Sequence, residues 1–275
     1  MNSKNIIKWE IKRIEVGIKN KQYPEFLYKY RAANNCNTDT IITKNELWFS
    51  DPNDFNDPYD CHLTADDLKS EEIRKYLKNK FNATDSEIDN YSTNPNGLQN
   101  KIEEATERVL SNLGVCCFSK LDDIMLQWAH YADRHTGICL KFDLFELCKG
   151  LGDNFIPLPV HYQTNLPHYN HCVEEQRKNV ADILVKPKSC CWEYEQEIRI
   201  VKQGLVSIDD NDVTKTRKRK VSFNPQALKE VIFGAKTKED TIKYYQKLCT
   251  DFNRKHIVFS KMQLGMGQYY ELIKK

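Results

Sequence analysis

Three glutamates and an arginine alternate through Trp192-Glu193-Tyr194-Glu195-Gln196-Glu197-Ile198-Arg199, the stretch of this chain best suited to chemistry. Successive side chains of a strand point to opposite faces. A strand here sets Glu193, Glu195, Glu197 and Arg199 on one face and Trp192, Tyr194, Gln196 and Ile198 on the other. Carboxylates side by side in a cleft stabilise positive charge developing on a substrate; on a wet face they are merely hydrated. Like charges in alternation are costly unless cations offset them, and flanking Trp192 and Ile200 suit a central strand. Glu197 is the leading catalytic candidate and Glu195 its assistant.

Other residues of useful type lie far away in the sequence. Arg31 ends the alternating run FLYKYR and is a candidate anion anchor. Ser119 ends the apolar run GVCCFS, and Ser119-Lys120-Leu121-Asp122 has the outline of a helix N-terminal capping box. The turn-rich DPNDFNDPYD fixes a loop through its prolines and Asn/Asp side chains, presenting Asp57 and Asp60 to a ligand or serving the turn alone. Trp48 and Tyr59 flank that turn as candidate stacking surfaces. His135, two residues before Gly137 at a helix-to-strand corner, is a candidate cleft residue. His168, His171 and Cys172 offer metal-binding atoms, but zinc takes four ligands and no second half with finger-like spacing accompanies them.

The elements that must position these groups are read from periodicity. FLYKYR (Phe26 to Arg31), ELWFS (Glu46 to Ser50), GVCCFS (Gly114 to Ser119), TGICLKFD (Thr136 to Asp143), IPLPVHY (Ile156 to Tyr162), Glu230 to Phe233, HIVFSKMQL and QYYELI read as strands. The N-terminal segment reads as a docked helix. Residues 65–112 read as a charged helical insert or lid with a loop near 92–97. LDDIMLQWAHYADRH places Leu121, Met125, Trp128 and Ala132 at helical spacing, and 171–185 reads as an amphipathic helix. Lys215 to Lys220, with five cations in six residues, reads as a solvated hairpin able to attract phosphate. The predicted architecture is one α+β domain over 1–275, with mixed, mostly antiparallel sheets, flanking helices and the helical insertion.

Composition limits the function classes. With 275 residues, 40% hydrophobic and 29% charged, the chain can bury a sizeable core. Lys+Arg of 41 against Asp+Glu of 39 gives +2, so overall charge selects no partner. The apolar runs are too short for a membrane span, and the N-terminus lacks the apolar core of a secretory signal. The 10 cysteines include no C-x-x-C pair and fit reduced thiols in a cytoplasmic protein.

LYKYR, LWFSDP, FNDPYD, CFS, the W-A-H-Y-A…H-T-G-I-C-L-K-F block and W-E-Y-E-Q-E-I-R occur in that order, and together they resemble the bacterial domain of unknown function 2971 family. The resemblance runs from about Leu27 to Gly234 and implies no activity. More distantly the chain resembles ADP-ribosyltransferases of the Arg-Ser-Glu type. Tyr30-Arg31, Phe118-Ser119 and Glu195-Gln196-Glu197 follow in the matching order. That resemblance implies an ADP-ribosyltransferase-like fold and NAD as co-substrate, with no metal required. It implies Arg31 on the NAD phosphates or ribose, Ser119 toward the nicotinamide, Glu197 on the ribose and transition state, and Glu195 on the acceptor. The acceptor would be a macromolecule, protein or nucleic acid, and the biological setting a toxin or phage-defence effector. Two departures stand out. Ser119 lies in Cys-Phe-Ser-Lys rather than a Ser-Thr-Ser run, and Glu-x-Glu occurs in two frames, 193/195 and 195/197. Two other classes stay open: a metal-dependent nuclease or phosphodiesterase using Asp57, Asp60, Glu195 and Glu197, and a non-enzymatic module binding nucleic acid or a partner through Lys215, Arg217 and Arg219.

Overall fold

The computed structural model describes residues 3–65, 70–92, 104, 107–152, 155–169, 180–207, 210–267 and 270–275. Fourteen strands and nine helices are named here in chain order. They are α1 (Ser3–Lys19), β1 (Phe26–Arg31), α2 (Cys36–Thr43), β2 (Glu46–Trp48), β3 (Thr64–Ala65), α3 (Ser70–Phe81), α4 (Asp85–Ser92) and β4 (Gly114–Ser119). There follow α5 (Met125–Tyr131), β5 (Ile138–Asp143), α6 (Leu144–Leu151), β6 (Phe155–Pro159), β7 (His161–Gln163), β8 (His168–Tyr169), α7 (Val180–Val185) and β9 (Pro187–Ser189). The chain ends with β10 (Glu197–Lys202), α8 (Asp212–Lys218), β11 (Lys220–Ser222), β12 (Leu228–Phe233), α9 (Glu239–Asp251), β13 (Val258–Leu264) and β14 (Leu272–Lys274).

One eight-stranded sheet runs β14-β13-β12-β5-β1-β4-β10-β6. Only β12 and β13 pair in parallel within it, with α9 as their crossover, so the molecule is a mixed α+β structure built on a mostly antiparallel sheet. Leu27, Phe118, Leu140, Phe142, Ile198, Ile200 and Val231 pack one face of this sheet against Ile41, Ile42, Leu144 and Leu147 of α2 and α6. Tyr30, Cys139 and Ile232 carry the other face onto Trp128 of α5. Both faces are therefore covered, and β4 and β10 are buried along nearly their whole length, including Glu197 and Arg199 of β10. Local signals set the helix starts: the Asp143 side chain accepts from Glu146 N–H at 2.9 Å, and Asn35 accepts from Asn37 N–H at 2.9 Å.

One joint in the sheet is loose. β4 pairs with β10 at six positions, Glu197↔Ser119 through Lys202↔Gly114, but with β1 only at Tyr28↔Ser119. Beyond that pair the two strands separate. The Cys117 carbonyl accepts a 2.8 Å hydrogen bond from Lys29 Nζ, which also lies 5.1 Å from the centre of the Phe118 ring.

Several expectations are corrected. The Glu-rich octapeptide is not one strand: Cys190–Glu195 is a 3-10 turn capped by Ser189, Gln196 takes a left-handed φ of 48°, and β10 begins only at Glu197. Lys215 to Lys220 is the end of α8 running into β11 rather than a hairpin, because Asn211 caps a helix there by accepting from Thr214 N–H. The helix expected from Leu121 starts at Met125; Trp128 and Ala132 are buried, whereas Leu121 and Met125 are exposed. In the 65–112 region the described residues include α3 and α4, joined by Arg74 to Asp85 and Asp89. The loop at 93–97 and the 171–179 part of the expected amphipathic helix, with His171 and Cys172, lie outside the described residues. Among the described residues no helix is long and apolar enough to cross a membrane.

Candidate functional site

A cavity of about 220 Å³ opens where β1 and β4 separate. Tyr28, Lys29, Tyr30 and Arg31 form one wall and Cys117 to Ser119 another, with Phe55, Asn56 and Asp60 reaching in from the turn. Gln127 and Tyr131 of α5 and Lys188 of β9 join Glu195 and Glu197 to close it. The leading sequence candidates, Arg31, Ser119, Glu195 and Glu197, thus meet in one place although 166 positions separate the first from the last.

The left-handed Gln196 brings the two glutamates together. It reverses the chain between the 3-10 turn and β10, so both carboxylates, with their side chains only 4% exposed, converge on one ammonium. Lys188 Nζ lies 2.6 Å from Glu195 Oε2 and 2.8 Å from Glu197 Oε2, with Asp60 Oδ2 at 3.8 Å. Arg199 Nε donates to Glu197 Oε1 at 2.9 Å, its Nη2 pairs with Asp60, and its Nη1 donates to the Val185 carbonyl at 2.8 Å. Tyr131 Oη donates to Glu195 Oε1 at 2.8 Å, and the Glu197 backbone N–H donates to Tyr162 Oη at 2.8 Å. Three buried carboxylates against two buried cations leave one negative charge on this side of the cavity.

The electrostatics follow from that packing. Burial alone would raise the Glu197 carboxyl, but Arg199 and Lys188 outweigh it and hold the group at about 2, fully ionised at neutral pH. Burial likewise opposes the charge on Lys188, and Glu197 with Glu195 overcomes it and holds the ammonium above its ordinary value. The Cys117 thiol, raised first by burial and then by Glu197, stays protonated and hydrogen-bonds that carboxylate. Opposite lies a cationic wall. Arg31 is lowered by burial, and its Nε is buried with no hydrogen-bond partner among the described residues.

Ser119 has a different local role from a helix cap. Its Oγ donates to the Glu195 carbonyl at 2.8 Å and accepts from Leu121 N–H at 3.2 Å, so it fastens the 3-10 turn to the end of β4. Gln127 Nε2 donates to the same carbonyl at 3.1 Å. Four other sequence candidates lie elsewhere. Trp48 is on β2, paired with Lys220 and 40% exposed. Tyr59, 65% exposed, lines a second cavity on the far side of Lys188. Asp57 accepts from Tyr59 N–H at 2.9 Å as a turn-forming side chain. His135 stacks on Trp128 with rings 13° apart and borders a separate groove with Met125 and Leu264. Glu193 is exposed.

Lys188, Tyr131 and Asp60 complete the site. Asp60 had a sequence signal in its turn, whereas Lys188 had none, since a lysine between Pro187 and Ser189 is locally unremarkable. Of the four carboxylates of a metal-dependent hydrolase, Asp60, Glu195 and Glu197 line this cavity, and Asp57 lines a neighbouring one with Asp60. Among the described residues no group of three His, Cys, Asp or Glu is arranged to hold a metal ion. The basic segment also divides. Arg219 is buried, donating to the carbonyls of Phe49 and Leu113 at 3.2 and 3.0 Å and pairing with Asp51, and Lys218 pairs with Asp210.

Comparison with protein families gives one match. The model of the family described as "Protein of unknown function (DUF2971)" matches residues 127–200, about a quarter of the chain. That stretch carries Gln127, Tyr131, Lys188, Glu195, Glu197 and Arg199, the acidic side of the cavity, and stops short of Arg31 and Ser119. No curated protein and no solved structure matches the chain.

Proposed function

We propose that this chain is an NAD-dependent ADP-ribosyltransferase-like enzyme passing ADP-ribose to a macromolecule. One observation carries the reading: Arg31, Ser119, Glu195 and Glu197 line a single cavity with a cationic β1 wall and an opposite wall bearing excess negative charge. NAD has the complementary polarity, an anionic diphosphate joined through ribose to a positively charged nicotinamide ring. Arg31 and Lys29 would take the diphosphate side. At about 220 Å³ the cavity is smaller than the roughly 300–1,000 Å³ of pockets that enclose whole ligands, so it would hold the nicotinamide-ribosyl end while the adenosine projects outward.

The chemistry required is cleavage of the bond between ribose C1′ and the nicotinamide nitrogen. The bonding pair leaves with nicotinamide, which becomes neutral, and positive charge develops on the ribose. Glu197, already ionised and fixed by Lys188 and Arg199, would stabilise that charge without reorganising. An acceptor lone pair then forms the new bond to C1′, and the acceptor's proton passes to Glu195 and on to water. Tyr131 on Glu195 Oε1 and Ser119 on the Glu195 carbonyl would hold that carboxylate in place.

Equilibrium binding of NAD to the wild type and to Arg31→Ala tests the reading. Binding by the wild type, weakened about tenfold to a hundredfold in the variant, supports it, since a hydrogen bond to a charged group contributes about 1.5–3 kcal/mol. A wild type that does not bind NAD at millimolar concentration overturns it.

A further inference from the structure

Lys188 faces two cavities. Besides the one holding Glu195 and Glu197, it lines a second of about 220 Å³ with Tyr59, Gln163, Asn165, Pro187 and Ser189. Among the described residues no carboxylate lines this second cavity, and Lys188 is its one lysine or arginine, with His62 on the wall. The Lys188 ammonium is already held by Glu195 and Glu197. A cationic guest would find no counter-charge here, and an anionic one only a neutralised cation. What remains is a neutral, hydrogen-bonding site beside an aromatic ring.

From this cavity we propose a nucleobase-recognition subsite, which takes one unpaired base of a single-stranded nucleic acid, with Tyr59 as the stacking face. Tyr59 is 65% exposed, so its ring is open to a planar partner. Pro167 and Pro187 add apolar surface. The polar groups fit a base edge. Gln163 Nε2 is committed to the Asn165 carbonyl at 2.6 Å, which holds the amide so that its oxygen can accept. Ser189 Oγ accepts from Cys191 N–H at 3.3 Å and keeps its own proton to donate, and the Asn165 amide can do both. The volume suits one ring system rather than a whole nucleotide. As the acceptor side of the transferase this rests on the NAD reading; as a base-binding pocket it stands independently of it.

The test is binding of single-stranded RNA and DNA pentanucleotides, with free nucleosides as competitors, to the wild type, Tyr59→Ala, Gln163→Ala and Trp48→Ala. The wild type binds, Tyr59→Ala weakens binding about tenfold or more, Gln163→Ala changes the order of preference among bases, and Trp48→Ala, at an exposed aromatic outside the cavity, changes neither. No pentanucleotide binding at millimolar concentration, equal binding by Tyr59→Ala, or displacement by a blocked tripeptide amide but not by nucleosides overturns the assignment. Base binding in a protein that leaves NAD intact would sink the transferase and leave this subsite standing; NAD turnover without base binding would do the reverse.

Discussion

Replacing Lys188 with methionine keeps most of the side-chain volume and removes the ammonium that Glu195 and Glu197 share at 2.6 and 2.8 Å. In the wild type the Glu197 carboxyl sits at about 2 instead of the ordinary 4.5. That difference corresponds to about 3 kcal/mol of stability, present above about pH 4.5 and lost as the pH falls toward 2. Without Lys188, three buried carboxylates face the single guanidinium of Arg199, and the glutamate pair takes up a proton with a shared pKa raised above that of the unfolded chain. The sign of the pH dependence then reverses. The variant is more stable at pH 5, where the pair is protonated, and loses stability as the pH rises through the raised value. Removing one partner from a buried ion cluster costs about 3–5 kcal/mol at neutral pH, a large part of the roughly 5–15 kcal/mol that holds a folded domain together. Urea unfolding of both proteins at pH 5 and pH 7.5 reads this directly. A loss below about 1 kcal/mol at pH 7.5, or the same loss at both pH values, would refute the reasoning.

Arg219→Met should destabilise the protein by about 3–5 kcal/mol in urea unfolding, because it strands Asp51 and the Phe49 and Leu113 carbonyls, without changing NAD affinity under native conditions. Gly137→Ala would set a Cβ 2.3 Å from the Arg31 carbonyl oxygen and 2.8 Å from that of Ala132. Neither backbone atom can give way, so a cost of about 1–3 kcal/mol is expected together with weaker NAD binding through a displaced Arg31. Tyr131→Phe leaves Glu195 Oε1 without its 2.8 Å donor and should cost about 1.5–3 kcal/mol by the same unfolding assay; an unchanged midpoint would contradict the hydrogen bond's role.

The strands were legible where apolar alternation and turn residues agreed, as in Phe26–Arg31 and Gly114–Ser119, and in Glu230 to Phe233, which the structure extends back to Leu228. The Glu-rich segment misled because W-E-Y-E-Q-E alternates like a strand, while a Ser189 cap and a left-handed Gln196 fold its first half into a 3-10 turn. The glutamates still meet, for a reason the alternation did not contain: the turn, not a pleat, points Glu195 back toward Glu197. Lys188 was invisible because its role depends on β9 pairing with β7 and on the 3-10 turn folding over it, neither of which leaves a local trace in Pro-Lys-Ser. Arg219 looked like one more cation of a basic run. Its burial under residues 49–51 and 111–113 follows from β11 pairing with β2, a contact between segments more than 170 residues apart. Ser119 showed its place at a strand end but not its partner, since the Glu195 carbonyl arrives from 76 positions away.

The central claim is most directly tested by incubating the purified protein with nicotinamide-labelled and adenylate-labelled NAD and a cell lysate, beside Glu197→Gln. The account predicts nicotinamide release with adenylate label passed to a macromolecule, and a rate about 100- to 1,000-fold lower in the variant. Intact NAD with the wild type, or equal turnover by Glu197→Gln, would contradict it.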